Sequence, residues 1–279
     1  MRLGTLLAAA GLEAAVAPAC LPAGIRVPGN RGLGPEVRNP EIRDPEIRDI
    51  VIASGQAGPG ALFGCVPGEH ADGHDYAGEA VAKGAAALLC ERALDLPVPQ
   101  VLVPSVRRAL GPVSAAFWGH PSRAMRVVGV TGTNGKTTTC ALLASIFDAH
   151  GWPAGVVGTL TGERTTPEAP VLQQKLAELR DAGRAAVAIE VSSHALDQHR
   201  VHGTDFAAGI FTNLSQDHLD YHLTMEAYFA SKARLFTSGQ IGVAVVNRQG
   251  PWGARLAQLV SDSGTDLVTY SPEDAQEVA

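Results

Sequence analysis

Between Arg126 and Thr139 the sequence reads RVVGVTGTNGKTTT, an apolar run that passes through a glycine-rich turn into a stretch with helical spacing. That arrangement has the parts needed to hold phosphate. Gly132 and Gly135 let the backbone turn tightly with its N–H groups aimed inward, so that Thr133, Asn134 and Thr138 join the cradle. The N-terminus of the following helix adds partial positive charge, Lys136 can reach terminal phosphates, and the Thr137 hydroxyl can ligate Mg²⁺. The spacing departs from GxxxxGK[ST] at one place, where Val130 stands at the first glycine position. The bland alternative is a glycine turn that caps a helix and binds nothing; the strand before it and Lys-Thr-Thr after it weigh against that.

Other residues could work beside such a loop. Glu190 ends the run AAVAIE, and a carboxylate at the end of a central strand can reach a metal held by the loop; an N-cap partner or a buried ion pair is its plainer reading. His218 and His222, four apart, suggest a zinc pair on a helix. Flanking Asp217 and Asp220 and the loop context favour a different use, with His222 at the surface. Lys232 lies in a helical stretch and reads by itself as a solvated lysine. Ser192 and Ser193 lack a GxSxG elbow, so they are not read as a hydrolase centre.

The elements that must position these residues alternate strictly. From Arg126 onward, strand-like runs at 127–131, 155–160, 185–191, 206–214, 242–247 and 266–270 are separated by helical stretches at 137–150, 170–182, 225–237 and 251–261. Runs of Val, Ile and Ala that are apolar on both faces are what a parallel sheet covered by helices requires, with its ligand crevice at the strands' carboxyl ends. Ahead of them lies a smaller α/β pattern, with strand-like runs at 50–53, 62–66, 87–90 and 98–103 and a helical stretch at 76–85. The reading is α/β throughout: a small N-terminal domain over 1–104, then a doubly wound phosphate-loop domain over 105–279. Residues 25–49, with PEIRD twice in tandem at 40–44 and 45–49, read as an exposed loop. Met1 to Cys20 reads as an amphipathic helix in preference to a secretory signal, because Glu13 interrupts the apolar stretch.

Composition narrows the class. With 279 residues, 46% hydrophobic and 18% charged, the chain has ample material for a core and too little charge for disorder. A net charge of −6 gives no basic field for nucleic acid or anionic lipid, so a bound phosphate needs a local site. Four cysteines without a CxxC pair suggest neither a zinc cage nor a disulfide framework, and a reducing cytoplasm is the simplest home.

TGTNGKTT resembles the phosphate loop of the Mur ligase family, the ATP-dependent amide-forming enzymes of peptidoglycan synthesis. IEVSSHALDQHRV (189–201), FTNLSQDHLDYH (211–222) and MEAYFASKARLF (225–236) resemble, in order and spacing, successive motifs of its MurE branch, which adds the third amino acid of the stem peptide. LFGCVPGEHADGHDYAGEAVAKGAAALL (62–89) resembles that branch's uridine-binding domain. The resemblance implies ATP and Mg²⁺ as cofactors and an acyl-phosphate route, with UDP-N-acetylmuramoyl-L-alanyl-D-glutamate and diaminopimelate or lysine as small-molecule substrates. It implies no nucleic acid, no membrane, and a cytoplasmic monomer.

Residue by residue, it implies Lys136, His218 and Lys232 as catalytic, with Thr137, Glu190, His218 and a carbamylated Lys232 as metal ligands. Thr165, Thr166, Ser192, Gln198 and Arg200 would surround the muramoyl peptide, and Ser54, Glu69, His70 and Ala71 the uridine. Ala53-Ser54-Gly55 stands where the family usually has Asp-Ser-Arg, so the uridine pocket is altered. A family member continues into a third domain that recognises the amine, and the expectation is that residues 1–279 alone do not ligate. The alternatives are a non-catalytic nucleotide-binding relative and another ligase of the superfamily, such as one resembling folylpolyglutamate synthase.

Overall fold

The computed structural model describes residues 1–12, 44–68, 71–162 and 164–271, and the chain forms two compact units, Met1–Phe117 and Trp118–Ala279. The first contains α1 (Leu3–Ala9), β1 (Asp49–Val51), β2 (Ala61–Gly64), α2 (Ala77–Ala82), β3 (Ala87–Cys90), β4 (Gln100–Leu102) and α3 (Val106–Phe117). Its strands pair in parallel in the order β1-β2-β3-β4, with Phe63 opposite Leu88 and Leu89 opposite Val101. Leu62, Phe63, Leu88 and Leu89 are fully buried, as strands covered on both faces must be.

Two expectations change here. The division falls after Phe117, not after residue 104, because α3 buries Val106, Leu110 and Val113 within the first unit. The second PEIRD copy is not a free loop: Ile47 is 1% exposed, its N–H donates to the Met1 carbonyl at 2.6 Å, and Arg2 and Glu46 form a β-bridge. The expected first helix is present over Leu3–Ala9, with Leu3, Leu6 and Leu7 buried at i, i+3 and i+4. Its continuation to Cys20, and the first PEIRD copy, lie outside the described residues.

The second unit runs β5 (Arg126–Thr131), α4 (Lys136–Ala149), β6 (Ala154–Val157), α5 (Ala169–Asp181), β7 (Ala186–Glu190), α6 (Ser193–Asp197), β8 (Phe206–Phe211), α7 (Leu219–His222), α8 (Met225–Thr237), β9 (Ile241–Asn247), α9 (Gly250–Ser263) and β10 (Asp266–Tyr270). All six strands are parallel, in the order β10-β9-β8-β5-β7-β6. The order steps away from β5 in both directions, so the switch point that opens a crevice at the carboxyl edge lies beside β5. The glycine loop is there. One face of the sheet, including Val127, Ile189 and Phe211, packs on Leu172 and Leu176 of α5, Phe229 and Phe236 of α8 and Leu256 of α9. On the other face, Val130 and Ala188 pack on Cys140 of α4.

Two strands end earlier than the apolar runs suggest. β6 stops at Val157 because Gly158 to Thr161 close a turn, with the Gly158 N–H donating to Thr161 Oγ1 at 2.9 Å. β8 stops at Phe211 because Thr212 and Asn213 turn to bond the glycine loop. Among the described residues no helix is long and apolar enough to cross a membrane.

Leu176 is fully buried where α5 meets the sheet. Leu176→Ala should lower unfolding free energy by about 2–5 kcal/mol, through lost burial plus the cavity left behind. Urea denaturation followed by tryptophan fluorescence checks this, and an unchanged midpoint would contradict the packing described.

Candidate functional site

β5 delivers the chain to Gly132, whose φ is 154°. A side chain there is impossible as the structure stands, because a Cβ would collide with Thr212 Oγ1. Gly135, at φ 86°, caps α4 in a left-handed conformation that costs glycine nothing. Helix geometry then leaves the N–H groups of Lys136, Thr137 and Thr138 without carbonyl partners, at the positive end of a 14-residue helix. The loop's other donors are used differently from the sequence expectation. Thr133 N–H donates to the Asn213 carbonyl at 2.9 Å and Asn134 N–H to Asn213 Oδ1 at 3.0 Å. The cradle's backbone donors are therefore those of the helix start.

Lys136 Nζ donates to the carbonyls of Gly132 (2.8 Å) and Thr133 (2.9 Å), folded back over the loop it belongs to. Burial depresses its pKa, with Glu190 and Asp217 opposing. Lys232, from α8, reaches the same carbonyl: its Nζ lies 2.9 Å from Gly132 O. It is 1% exposed, not the solvated lysine that its helical setting alone suggests. Burial, reinforced by the nearby Lys136 charge, brings its pKa down to about 7.

Glu190 ends β7 beside the loop and is 1% exposed. Its carboxylate accepts from Thr137 Oγ1 at 2.8 Å and from the Thr159 N–H at 2.9 Å. No Lys, Arg or His among the described residues forms an ion pair with it. A buried carboxylate satisfied only by neutral donors fits a cation brought in from outside. The donor set is oxygen, from a hydroxyl and a carboxylate, which suits Mg²⁺ sharing phosphate oxygens. With a backbone cradle alongside, the residues fit Mg²⁺-ATP.

His218, at φ 51° ahead of α7, is on the rim. It meets Asp217, with Nε2 to Oδ2 3.5 Å, and the His194 ring at 4.9 Å between centroids. Tyr228 links the two sides, its ring 6.0 Å from that of His218 and 4.6 Å from Lys232 Nζ. Among the described residues, no group of three His, Cys, Asp or Glu side chains could by itself hold a metal. His222 corrects the surface reading: it is 7% exposed and stacks on Tyr228 at 5.1 Å.

Four of the expected muramoyl contacts do come together. Thr166 Oγ1 donates to Glu190 O at 2.8 Å and accepts from the Ser192 N–H at 3.1 Å. Arg200 bonds Thr166 O at 3.0 Å and Gln198 Oε1 at 2.6 Å, and pairs with Glu168 at 3.0 Å. Ser192 also caps α6, accepting from the Ala195 N–H. Thr165 sits one residue before, its hydroxyl 3.0 Å from that of Thr159. In the first unit, Ser54, Ala71, Ala53, Gly55, Phe63 and Tyr76 line a cavity of about 280 Å³, where Ser54 Oγ donates to Glu79 at 2.9 Å. Glu69 and His70 lie outside the described residues.

The sequence reading passed over Thr159, Thr212, Asn213 and Tyr228. Tyr228 had a signal, since it precedes Lys232 by four and shares its helix face; Asn213 had none beyond its place after an apolar run.

Comparison with known proteins places this geometry in a family. The family model described as "Mur ligase middle domain" matches residues 130–279, and "Mur ligase family, catalytic domain" matches 46–118. The UDP-N-acetylmuramoyl-L-alanyl-D-glutamate--2,6-diaminopimelate ligase of Aquifex aeolicus is 43% identical over 230 residues, covering 79% of this chain and 47% of that protein. The ligase of the same name from Pseudomonas aeruginosa is 45% identical over 231 residues, covering 78% and 47%. A solved structure of a ligase with that name superposes with TM-score 0.70 at 28% identity, covering 81% of this chain and 48% of the other. The chain spans about half the length of the curated relatives it matches.

At Gly158 a Cβ would collide with the Glu190 carboxylate. Gly158→Ala should force Glu190 off Thr137 or shift the turn, costing about 1–3 kcal/mol as overpacking does. A urea midpoint equal to that of the parent protein would contradict the close approach.

Proposed function

This chain belongs to the Mur ligase family, and from that premise we propose an ATP-dependent amide ligase of peptidoglycan precursor synthesis. It joins diaminopimelate to UDP-N-acetylmuramoyl-L-alanyl-D-glutamate and works as a monomer in the cytoplasm. The choice of diaminopimelate follows the names of the relatives. The observation that carries the reading is the convergence of Lys136, Lys232, Thr137 and Glu190 on one glycine-rich loop.

In the reaction, the substrate carboxylate attacks the γ-phosphorus of ATP, the bond to ADP breaks, and an acyl phosphate forms. The amine then attacks the acyl carbon, loses a proton and expels phosphate. Lys136 leaves the Gly132 and Thr133 carbonyls and follows the transferred phosphoryl group, neutralising charge as it moves. The N–H groups of Lys136 to Thr138 hold the phosphate chain in line. Bound Mg²⁺ supplies further charge neutralisation, with Thr137 and Glu190 as its ligands from this chain. Thr165, Thr166, Ser192, Gln198 and Arg200 orient the muramoyl peptide at the same sheet edge, and the first-unit cavity at Ser54 and Ala71 takes the uridine.

Lys232 becomes a carbamate. Its pKa of about 7 leaves a substantial share of neutral amine at physiological pH, and only the neutral amine adds CO₂, releasing one proton. The adduct would keep one N–H for Gly132 O and gain two oxygens, which with His218 would hold a second Mg²⁺ and add charge neutralisation there.

Two measurements test the assignment. Isothermal titration with Mg²⁺-ATP should give binding that Lys136→Ala weakens at least tenfold, about 1.4 kcal/mol; equal affinity in that variant would refute the phosphate loop. Intact-protein mass spectrometry of a sample trapped under bicarbonate should show one added CO₂ that Lys232→Ala abolishes. An unmodified Lys232 in a metal-loaded, turning-over sample would overturn the carbamate.

A further inference from the structure

The glycine loop is not held by its own strand and helix alone. Facing it is the turn after β8, where Asn213 uses its whole peptide-like amide: Oδ1 accepts from the Asn134 N–H at 3.0 Å while Nδ2 donates to the Asn134 carbonyl at 3.2 Å. Its main-chain carbonyl accepts from the Thr133 N–H at 2.9 Å. Around it, Thr212 Oγ1 donates to Asn134 O at 2.7 Å, and the Ser215 N–H donates to Thr133 Oγ1 at 3.0 Å. Asn247, at the end of β9, fixes the turn from behind by donating to Thr212 O at 2.8 Å.

We infer that Asn213 is a positioning residue for nucleotide binding, clasping Thr133 and Asn134 so that only the helix-start donors and Lys136 face the phosphates. This rests on the phosphate-loop reading above. The physical case is one of matching. A carboxamide presents a donor and an acceptor side by side, so it can pair with both polar groups of one residue as an adjacent strand would. Without the Asn213 side chain the Asn134 N–H would turn to water or to the ligand, leaving the Thr133 N–H on the Asn213 main-chain carbonyl and Asn134 O on Thr212 alone. A loose loop then loses its shape before phosphate arrives, and binding must supply the ordering. The clasp also joins the phosphate cradle to the segment that carries His218, five residues on, so nucleotide and rim histidine share one support.

The test uses the parent protein, Lys136→Ala, Asn213→Ala and Asn213→Asp, with Mg²⁺-ATP as ligand. Titration calorimetry gives affinity, thermal unfolding gives stability, and hydrogen exchange follows the Asn134 amide. Asn213→Ala should weaken Mg²⁺-ATP about tenfold, because binding must then supply the loop's ordering, with faster exchange at Asn134 and a melting temperature lowered by a few degrees for the two lost hydrogen bonds. Asn213→Asp, which keeps the acceptor, should hold that amide protected. The clasp is overturned if Asn213→Ala leaves affinity within twofold while Lys136→Ala weakens it, or if affinity falls while the Asn134 amide exchanges as slowly as in the parent protein. Absence of Mg²⁺-ATP binding by the parent protein would instead sink the phosphate-loop reading, and the clasp with it.

Discussion

At Gly132 the phosphate loop lies so close to the end of β8 that a single methyl group would collide with Thr212 Oγ1, and the candidate site is built around that approach. The same residue offers its carbonyl to two lysine ammonium groups, Lys136 from the head of α4 and Lys232 from α8. A longer strand, a bulkier residue or a different turn after β8 would separate them. The parallel sheet makes the approach possible, because it brings the carboxyl ends of β5, β7 and β8 side by side and feeds each into a loop on the same edge.

Electrostatics then makes the site receptive. Two lysines share one carbonyl with no carboxylate among the described residues at salt-bridge distance from either, and burial lowers the pKa of both. Glu190, equally buried, meets only hydroxyl and amide donors among the described residues. Held apart in this way, unpaired positive and negative groups are costly to the protein. On the reading proposed above, a polyphosphate carrying Mg²⁺ would answer both demands at once, its oxygens for the lysines and its cation for Glu190.

Much of this was legible in the sequence, and for identifiable reasons. Continuous apolar runs marked every strand from β5 to β10, and Met225–Thr237 and Asp266–Tyr270 fell at their expected bounds, because period and composition are local signals. The strand, glycine turn and helix start over 126–139 were likewise visible, since that local geometry is set by spacing along the chain. What escaped was set by contacts far apart in sequence. The fate of the Thr133 and Asn134 N–H groups depends on Asn213, 79 residues after Asn134. His222 looked superficial until α7 folded its ring onto Tyr228. The domain boundary moved from 104 to Phe117 because the buried face of α3 belongs to the first unit, a contact that spacing along the chain does not reveal.

The central claim is that the lysine now folded onto Gly132 is held in reserve for phosphate. A crystal structure with Mg²⁺ and a non-hydrolysable ATP analogue tests it most directly. The account predicts phosphate oxygens on the N–H groups of Lys136, Thr137 and Thr138, Lys136 Nζ moved from the Gly132 carbonyl to the terminal phosphate, and Mg²⁺ on Thr137 and Glu190. A nucleotide bound elsewhere, or Lys136 still on Gly132 O with the phosphates in place, would contradict it.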